Sequence, residues 1–214
     1  MHRKLSALGF LLLLTPGVAF AAPAAPVSLA AQTNVQASHL LGAALTAKSA
    51  APLGTITDLL CDGVQHRVAY IVVSKQGTLA AVPWVALSAG AKPGAFRASA
   101  GATEVAIPVD QALNLNPTLL DLMLGLLNRP LVAADGGRAG VISDAVIDMR
   151  SGMIRALLAS APDSNPALKV LSWDSIAGLF LQRAIVLNIS EQQVAQLPSY
   201  DASARVASSS EQAD

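Results

Sequence analysis

The sequence predicts a mainly β protein made of two small β-barrels in tandem, each followed by a short helix and joined by an apolar helical connector. An internal repeat is the first observation: "LGTITDLLCDGVQHRVAYIVVS" (53–74) matches "AGVISDAVIDMRSGMIRALLAS" (139–160) without a gap. The second is that both halves contain short β-branched runs separated by turn residues, which is typical of a sandwich or barrel. In a unit this small, closure into a barrel removes exposed strand edges.

The chain begins with the three regions of a secretory signal peptide, which we assign to residues 1–21. Arg3 and Lys4 form the cationic start, Leu5–Leu14 is apolar, and Ala19-Phe20-Ala21 is a cleavage pattern. The apolar run is too short to span a bilayer. The sequence therefore predicts export to the periplasm after cleavage, with a retained interfacial anchor as the alternative.

Composition limits the class of partner. The chain has 14 Lys and Arg against 14 Asp and Glu, and loss of the leader would remove two positive charges, leaving a slightly acidic chain. This argues against nucleic acid, whose binding requires clustered Lys and Arg. A single cysteine, Cys61, excludes an internal disulfide and is expected to be a small buried hydrophobe, the alternative being a reactive or intermolecular thiol.

The repeat sets the domain boundaries. The first unit is predicted over 37–116 and the second over 129–197. The flanking segments, 22–36 and 198–214, are rich in Ala, Ser and Pro and are predicted to be disordered.

Within each unit a Gly-led strand (54–61; 140–147) runs through an Asp-containing turn into a second strand, which predicts a hairpin. Trp84 and Trp173 then follow as equivalent positions, at a larger offset because the second copy has the longer loop "APDSNPALK".

Both units are expected to end alike, in a strand followed by a short helix: "EVAIPVDQALNLNP" in the first and "RAIVLNISEQQVAQLP" in the second. Asp110 and Ser190 are the predicted N-caps. Each helix is expected to stop near a proline, Pro117 or Pro198.

The segment between the units, 117–128, is apolar on nearly all sides when drawn as a helix and too short to cross a membrane. Such a helix must be buried. It would either be wedged between the two barrels or dock a partner protein, a second copy of the chain or a lipid interface, although it lacks the basic face of an interfacial helix. The candidate partner-binding residues are Leu119, Leu122, Met123, Leu126, Trp84 and Trp173.

The tryptophans have two interpretations. Exposed, they would be anchors for a partner, because tryptophan often dominates binding energy at interfaces. Buried at a strand end, each would cover a small core and bond its indole N–H to a carbonyl, which is the interpretation we favour.

Paired carboxylates are the most regular polar feature. Asp58 and Asp62, with Asp144 and Asp148 in the second copy, lie four residues apart on a strand and would share one face. They could form a metal-binding or acid/base pair. We favour a structural role in the hairpin turns, because such side chains bond to nearby amides and a hard-cation site usually gathers more oxygen ligands.

The sequence predicts no catalytic, metal or cofactor site. His39 and His66 are the histidines outside the leader, and no G-x-S-x-G elbow is present to complete a nucleophilic triad. Their spacing relative to Cys61 matches no common zinc pattern.

The first repeat resembles the PRC-barrel family. The resemblance rests on Gly-x-Ile-x-Asp, the Asp-bearing turn, "RVAYIVVS", the "VPW-x-x-L" corner and the opening "ASHLLGAAL", from about Ser38 to Leu113. The second repeat is looser, with "LSW" replacing the proline before Trp173 and a shortened opening "NRPLVAADGG". The family resemblance implies a small β-barrel that serves as a protein interaction module.

These observations together predict an exported, non-enzymatic binding or scaffold protein, with another protein as the leading partner class and a homodimer through the connector as a further possibility. Two alternatives stay open. One is small-molecule or lipid binding between the barrels. The other is a hydrolase that uses Asp58, Asp62 and His66.

Overall fold

The protein is mainly β. The computed structural model describes residues 34–89, 96–99, 101, 106–121, 125–160, 167–180 and 184–201. The described strands are β1 Asn34–Gln36, β2 Ala44–Thr46, β3 Pro52–Asp62, β4 Arg67–Lys75, β5 Thr78–Pro83, β6 Leu87–Ala89, β7 Phe96–Ala98, β8 Ile107–Pro108, β9 Leu119–Asp121, β10 Pro130–Val132, β11 Arg138–Asp148, β12 Ile154–Ser160, β13 Leu168–Leu171, β14 Ile176–Phe180 and β15 Ala184–Leu187. The described helices are α1 Ala37–Leu40, α2 Val109–Leu115 and α3 Glu191–Gln196, with 3₁₀ turns at Trp84–Ala86 and Trp173–Ser175.

The strands form two mixed sheets, one for each predicted unit. The first has the order β6-β7-β2-β3-β4-β5-β8, and the second has the order β13-β12-β11-β10-β15-β14. Each contains one parallel pair, β2 with β7 and β10 with β15. Within the described residues, each sheet keeps two open ends, so the predicted mainly β class is confirmed whereas closure into barrels is not observed.

The repeat extends further than the hairpins. Gly54 and Gly140 are 86 residues apart (140 − 54), and the same offset relates Leu40 to Leu126, both of which are fully buried. The backbone bonds repeat too: the Gly42 amide donates to the Ile56 carbonyl at 2.8 Å, and the Asn128 amide to the Ile142 carbonyl at 2.7 Å. The connector is therefore the opening segment of the second unit.

The prediction of a helical connector is wrong for Leu119–Asp121, which form strand β9 and pair antiparallel with β3. Residues 122–124 lie outside the described residues, and a turn follows at Leu126–Asn128. The local apolar pattern suited a helix, but the free edge of β3 offered this stretch backbone partners that a single-sequence pattern does not reveal.

Each unit receives a strand from the segment that precedes the other. β1, which opens the first unit, pairs with β11 of the second, while β9, which opens the second, pairs with β3 of the first. The predicted disorder of 22–36 is thus wrong for Asn34–Gln36, and the remainder of that linker lies outside the described residues, as does the predicted signal peptide 1–21.

The two hairpin turns also pair with each other. The Val68 amide donates to the Gly152 carbonyl at 2.8 Å, and the Ile154 amide donates to the His66 carbonyl at 2.9 Å. These two bonds are exchanged by the 86-residue offset, because 68 corresponds to 154 and 66 to 152.

A single apolar core joins the two units. Fully buried side chains from both belong to it, among them Leu40, Ile56, Leu126 and Ile142. The units are therefore halves of one packed structure.

The units end differently, contrary to prediction. In the first, β8 pairs with β5 and α2 follows it, packing on the face where Ala112 meets Leu60 and Val72. In the second, α3 comes first, and residues 198–200 then bond to β13. The predicted disorder of 198–214 is wrong for these three residues, and 202–214 lie outside the described residues.

The two predicted helix N-caps also differ in outcome. Ser190 is confirmed as an N-cap in a capping box with Gln193. Asp110 is not an N-cap: α2 starts after Pro108, and Asp110 lies in its first turn. An acidic side chain there still complements the helix dipole.

Candidate functional site

The Asp62 carboxylate holds the first hairpin turn. Its Oδ1 accepts bonds from the amides of Val64 and Gln65, both at 2.9 Å, and Oδ2 accepts a longer bond of 3.4 Å from the Asn116 side chain. Burial by itself raises the pKa of the Asp62 carboxyl, but the bonds from Gln65, Val64 and Asn116 outweigh it and lower the pKa. The carboxylate is ionised and engaged in turn formation.

Asp148 repeats this arrangement in the second turn. Oδ1 accepts from the amides of Arg150 and Ser151, and Oδ2 accepts from the Arg155 guanidinium at 2.9 Å. The Arg155 guanidinium, followed by the Ser151 amide, lowers the pKa of the Asp148 carboxyl to about 2 despite its burial. Each of these two carboxylates therefore accepts bonds from two backbone amides of its own turn, and the two sets of amides are at equivalent positions of the repeat.

The other pair, Asp58 and Asp144, lies at a bulge on its strand, since the pairing register shifts between Ile56 and Asp58 and again between Ile142 and Asp144. Asp58 Oδ1 accepts from the Leu59 amide. Asp144 is buried, and it accepts from the Ser38 hydroxyl at 2.6 Å and from the Ser38 amide at 3.1 Å. Asp144 therefore fastens the start of the first unit to the second.

The histidines lie on different elements. His39 is exposed on α1, and His66 lies in the β3–β4 turn, where its ring stacks on Trp173 with centroids 5.1 Å apart. Within the described residues, no group of three or more His, Cys, Asp and Glu is arranged to hold a metal ion. Cys61 is fully buried, in agreement with its apolar surroundings in the sequence.

Trp84 and Trp173 are core residues, each packed against the turn of the other unit. Their side chains are 2% and 8% exposed. Gly152 lies against Trp84, where an added Cβ would approach the indole Cδ1 to 2.8 Å, while His66 at the equivalent position stacks on Trp173. The proposed indole bond is not formed at Trp84, whose buried Nε1 has no partner within the described residues.

The connector residues named as candidate partner contacts are covered by the chain itself where the structure describes them. Leu119 is 7% exposed and Leu126 is fully buried. Leu122 and Met123 lie outside the described residues. Leu119 and Leu126 are thus core residues and do not form a docking surface.

The structure reveals an apolar cleft that the sequence did not indicate. It has a volume of about 370 Å³, and its lining comes mainly from strands β2 to β5 of the first unit. Apolar side chains form its floor and wall, and polar ones from the β4–β5 turn form part of its rim. The lining residues are Leu45, Leu53, Val73, Ala80, Val82 and Ala106, with Lys75, Gln76 and Thr78.

The equivalent place in the second unit is covered by α3. Leu131, Ala139, Ala159 and Leu171 occupy the positions of Leu45, Leu53, Val73 and Val82 there, and Val194 of α3 joins the same buried core. Leu197 packs against this core from the helix end. The first unit has larger Leu53 and Val73 side chains in place of two alanines, and both line its cleft.

Polar contacts hold α3 in this place. Asp135, in the β10–β11 turn, accepts from the Glu191 amide at the helix start, at 3.2 Å. At the other end the Lys169 ammonium donates to the Leu197 carbonyl at 2.9 Å. Gly137 leaves space for the Glu191 side chain.

The first unit differs at each of these three places. At the 86-residue offset, Ser49 replaces Asp135 and Ala51 replaces Gly137. In the pairing register, an alanine, Ala80, replaces Lys169. The first unit thus keeps a neutral hydroxyl where the second has a carboxylate, and it has neither the glycine nor the lysine.

In the first unit, the link between β7 and β8 has the place in the chain that α3 has between β15 and Ser199 in the second unit. The link from β7 to the edge strand β8 spans 99–106, and the described residues of that link are not helical. The cleft thus arises where the first unit carries no counterpart of α3 among its described residues.

No family model and no curated protein matches this chain. In the described part of the molecule, no helix is both long enough and apolar enough to cross a membrane.

Proposed function

We propose that the chain is a non-enzymatic binding protein in which the first unit docks another protein and the second unit supports it. The observation that carries this proposal is the apolar cleft of about 370 Å³ in the first unit. An apolar groove is one of the recurring surfaces on which a protein binds a segment of another protein. The second unit fills the same place with its own α3.

The positions of the polar residues that a hydrolase would use also support a non-enzymatic function. The carboxylates of Asp62 and Asp148 are committed to turn amides, and His66 is stacked on Trp173. A hydrolase needs a base oriented toward a nucleophile in one concave place. Asp62 instead holds the first hairpin turn, and His66 contacts Trp173 of the second unit.

The family and the location are part of the proposal. The Gly-x-Ile-x-Asp strand, the Asp-bearing turn and the Trp corner, now placed in two related sheets, support descent from the PRC-barrel modules. The leader pattern over 1–21 supports action in the periplasm.

Affinity capture of partners by matched variants tests the proposal. Ala80→Phe would fill the cleft, whereas Leu79→Phe adds the same ring on the opposite face of β5, where Leu79 is 50% exposed. Tagged wild type and both variants are incubated with an envelope extract of the producing cells. We expect at least one protein to be retained by the wild type and Leu79→Phe and lost with Ala80→Phe. Identical captures by all three would overturn the cleft as the docking site.

A further inference from the structure

We infer that the occupant of the cleft in the first unit is a short amphipathic helix of a partner protein, bound as α3 is bound in the second unit. This inference rests on the proposed docking function and adds the chemistry of the partner. The second unit provides an internal template. There, the same sheet positions contact a helix whose apolar contacts come from Val194 and Leu197, three residues apart. Residues three apart lie on one face of a helix.

The shape of the cleft fits such an occupant. Its lining comes from alternate residues of β5, namely Thr78, Ala80 and Val82, and from Leu45, Leu53 and Val73 on the neighbouring strands. In the second unit the corresponding strands are crossed by α3 from the β10–β11 turn to Lys169 on β13. A helix laid over the first unit would therefore run from the β2–β3 turn toward the β4–β5 turn.

Charge at the two ends of this path defines the partner further. Lys75 lines the cleft at the β4–β5 turn, near the end where α3 has its last carbonyls in the second unit. A cation there complements the negative end of a helix dipole. At the other end the exposed Lys48 takes the position of Ala134, and Ser49 replaces the helix-holding Asp135. Compared with the β10–β11 turn of the second unit, the β2–β3 turn of the first unit therefore lacks a negative charge and carries a positive one.

A lysine near a helix start is unfavourable unless the first turn of that helix is acidic. The Ser49 hydroxyl can still accept a bond from an amide of that turn, and it does not repel acidic side chains as a carboxylate would. The partner helix is therefore expected to carry Asp or Glu in its first turn, two apolar residues three apart, and uncapped carbonyls at its end.

A synthetic copy of α3 is the probe. It has the sequence of residues 188–200, "NISEQQVAQLPSY", with a hydrocarbon staple joining positions 192 and 196, which are both exposed in the protein. The staple is needed because an isolated helix of this length is marginal in water. The matched control peptide carries aspartate at the positions of Val194 and Leu197.

Binding is located by methyl NMR on the full chain. We expect the probe to shift the methyl signals of Leu45, Val73 and Val82, and the control peptide to bind at least about tenfold more weakly, because it cannot bury two apolar side chains. Ala80→Phe should abolish these shifts while Leu79→Phe retains them. Lys75→Glu should weaken binding roughly two- to fivefold, by the size of a helix-end charge effect.

The melting temperatures of both Phe variants are compared with wild type to show that they fold. Should Ala80→Phe fail to fold, Thr78→Trp at the exposed rim provides a second block.

Three outcomes would overturn the helix as occupant. They are absence of shifts at saturating probe, shifts confined to the second unit around Leu131 and Leu171, and equal affinity for the probe and its control. Decanoate is tested in parallel: cleft shifts with decanoate and none with the probe would assign the cleft to an acyl chain instead.

The failures of the two proposals are distinguishable. A captured partner lost with Ala80→Phe, together with no binding of the probe, would leave docking intact and refute the helix. Captures unaffected by Ala80→Phe would refute docking at this cleft.

Discussion

The imidazole of His66 stacks on the indole of Trp173, with ring centroids 5.1 Å apart and an angle of 30° between the rings. The equivalent pair, with the roles of the two units exchanged, is Gly152 against Trp84. Each half thus places its hairpin turn on the tryptophan of the other half. His66, Trp84 and Trp173, which the sequence suggested as a catalytic histidine and two binding anchors, thus lie at the contact between the two units.

The contact of Gly152 with Trp84 predicts a large loss of stability when Gly152 is replaced. This residue has a φ of +75°, and an added Cβ would lie 2.8 Å from both the Trp84 Cδ1 and the Val68 carbonyl oxygen. Gly152→Ala should lower the free energy of unfolding by about 2–4 kcal/mol, combining left-handed strain with the clash. Urea denaturation measures it. Gly136→Ala is the control, because Gly136 has a φ of +84° with nothing near its Cβ position, and it should cost only about 1–2 kcal/mol. Equal losses would contradict the contact.

The Asp148–Arg155 pair predicts a defined pH dependence. The folded-state pKa of Asp148 is about 2, below the ordinary 3.8, so its contribution is fully present above pH 3.8 and is lost as the pH falls toward 2. Asp148→Asn should cost about 1–2 kcal/mol at pH 7, a value discounted because the Arg155 side chain is 49% exposed.

Urea titrations at pH 7, 4 and 2.5 should show the difference from wild type shrinking at the lowest pH. Asp110→Asn, at an exposed position in the first turn of α2, makes the same charge change and should cost less, about 0.3–1 kcal/mol from the lost interaction with the helix dipole. A wild-type advantage that persists unchanged at pH 2.5 would contradict the assignment.

Ser38 predicts a coupling between the start of the first unit and the second unit. Ser38→Ala removes the 2.6 Å bond to the buried Asp144 and should cost about 1–2 kcal/mol. A double-mutant cycle with Asp144→Asn should give a coupling energy above about 0.5 kcal/mol. Additive losses would show that the bond does not contribute in solution.

The shared core predicts one cooperative unfolding transition for the whole chain. Leu126, in the former connector, is fully buried, so Leu126→Ala should cost about 2–5 kcal/mol and lower the single midpoint of both halves. Leu115→Ala, at a site 68% exposed, is the control and should change little. Differential scanning calorimetry checks this. Two separate transitions, only one of them shifted, would contradict a common core.

The local features of the fold could be predicted from the sequence, and the pairings across long distances could not. The hairpins, the equivalence of Trp84 with Trp173, and the Ser190 cap all depend on residues close together in the chain. The pairing of β9 with β3 depends on an edge about 60 residues away, and nothing in the local apolar run of the connector distinguishes that strand from a helix.

A signal for the connector was present but overlooked. Leu40-Leu41 and Leu126-Leu127 share the offset of the repeat, and Gly42 and Asn128 follow them, both with positive φ. Extending the repeat backward across this stretch would have shown that 117–128 opens the second unit. The cleft had no such signal, because it results from a helix that one unit carries and the other does not carry among its described residues.

The exchange of β1 and β9 between the two sheets has a consequence for the origin of this molecule. β1 completes the sheet of the second half and β9 that of the first, so a lone ancestral half would have lacked a strand. Two identical chains could supply it to each other as a symmetric homodimer. Fusion of two gene copies would preserve that arrangement within one chain and free the two halves from identity. The two halves could then diverge, as the different ends of the two units show.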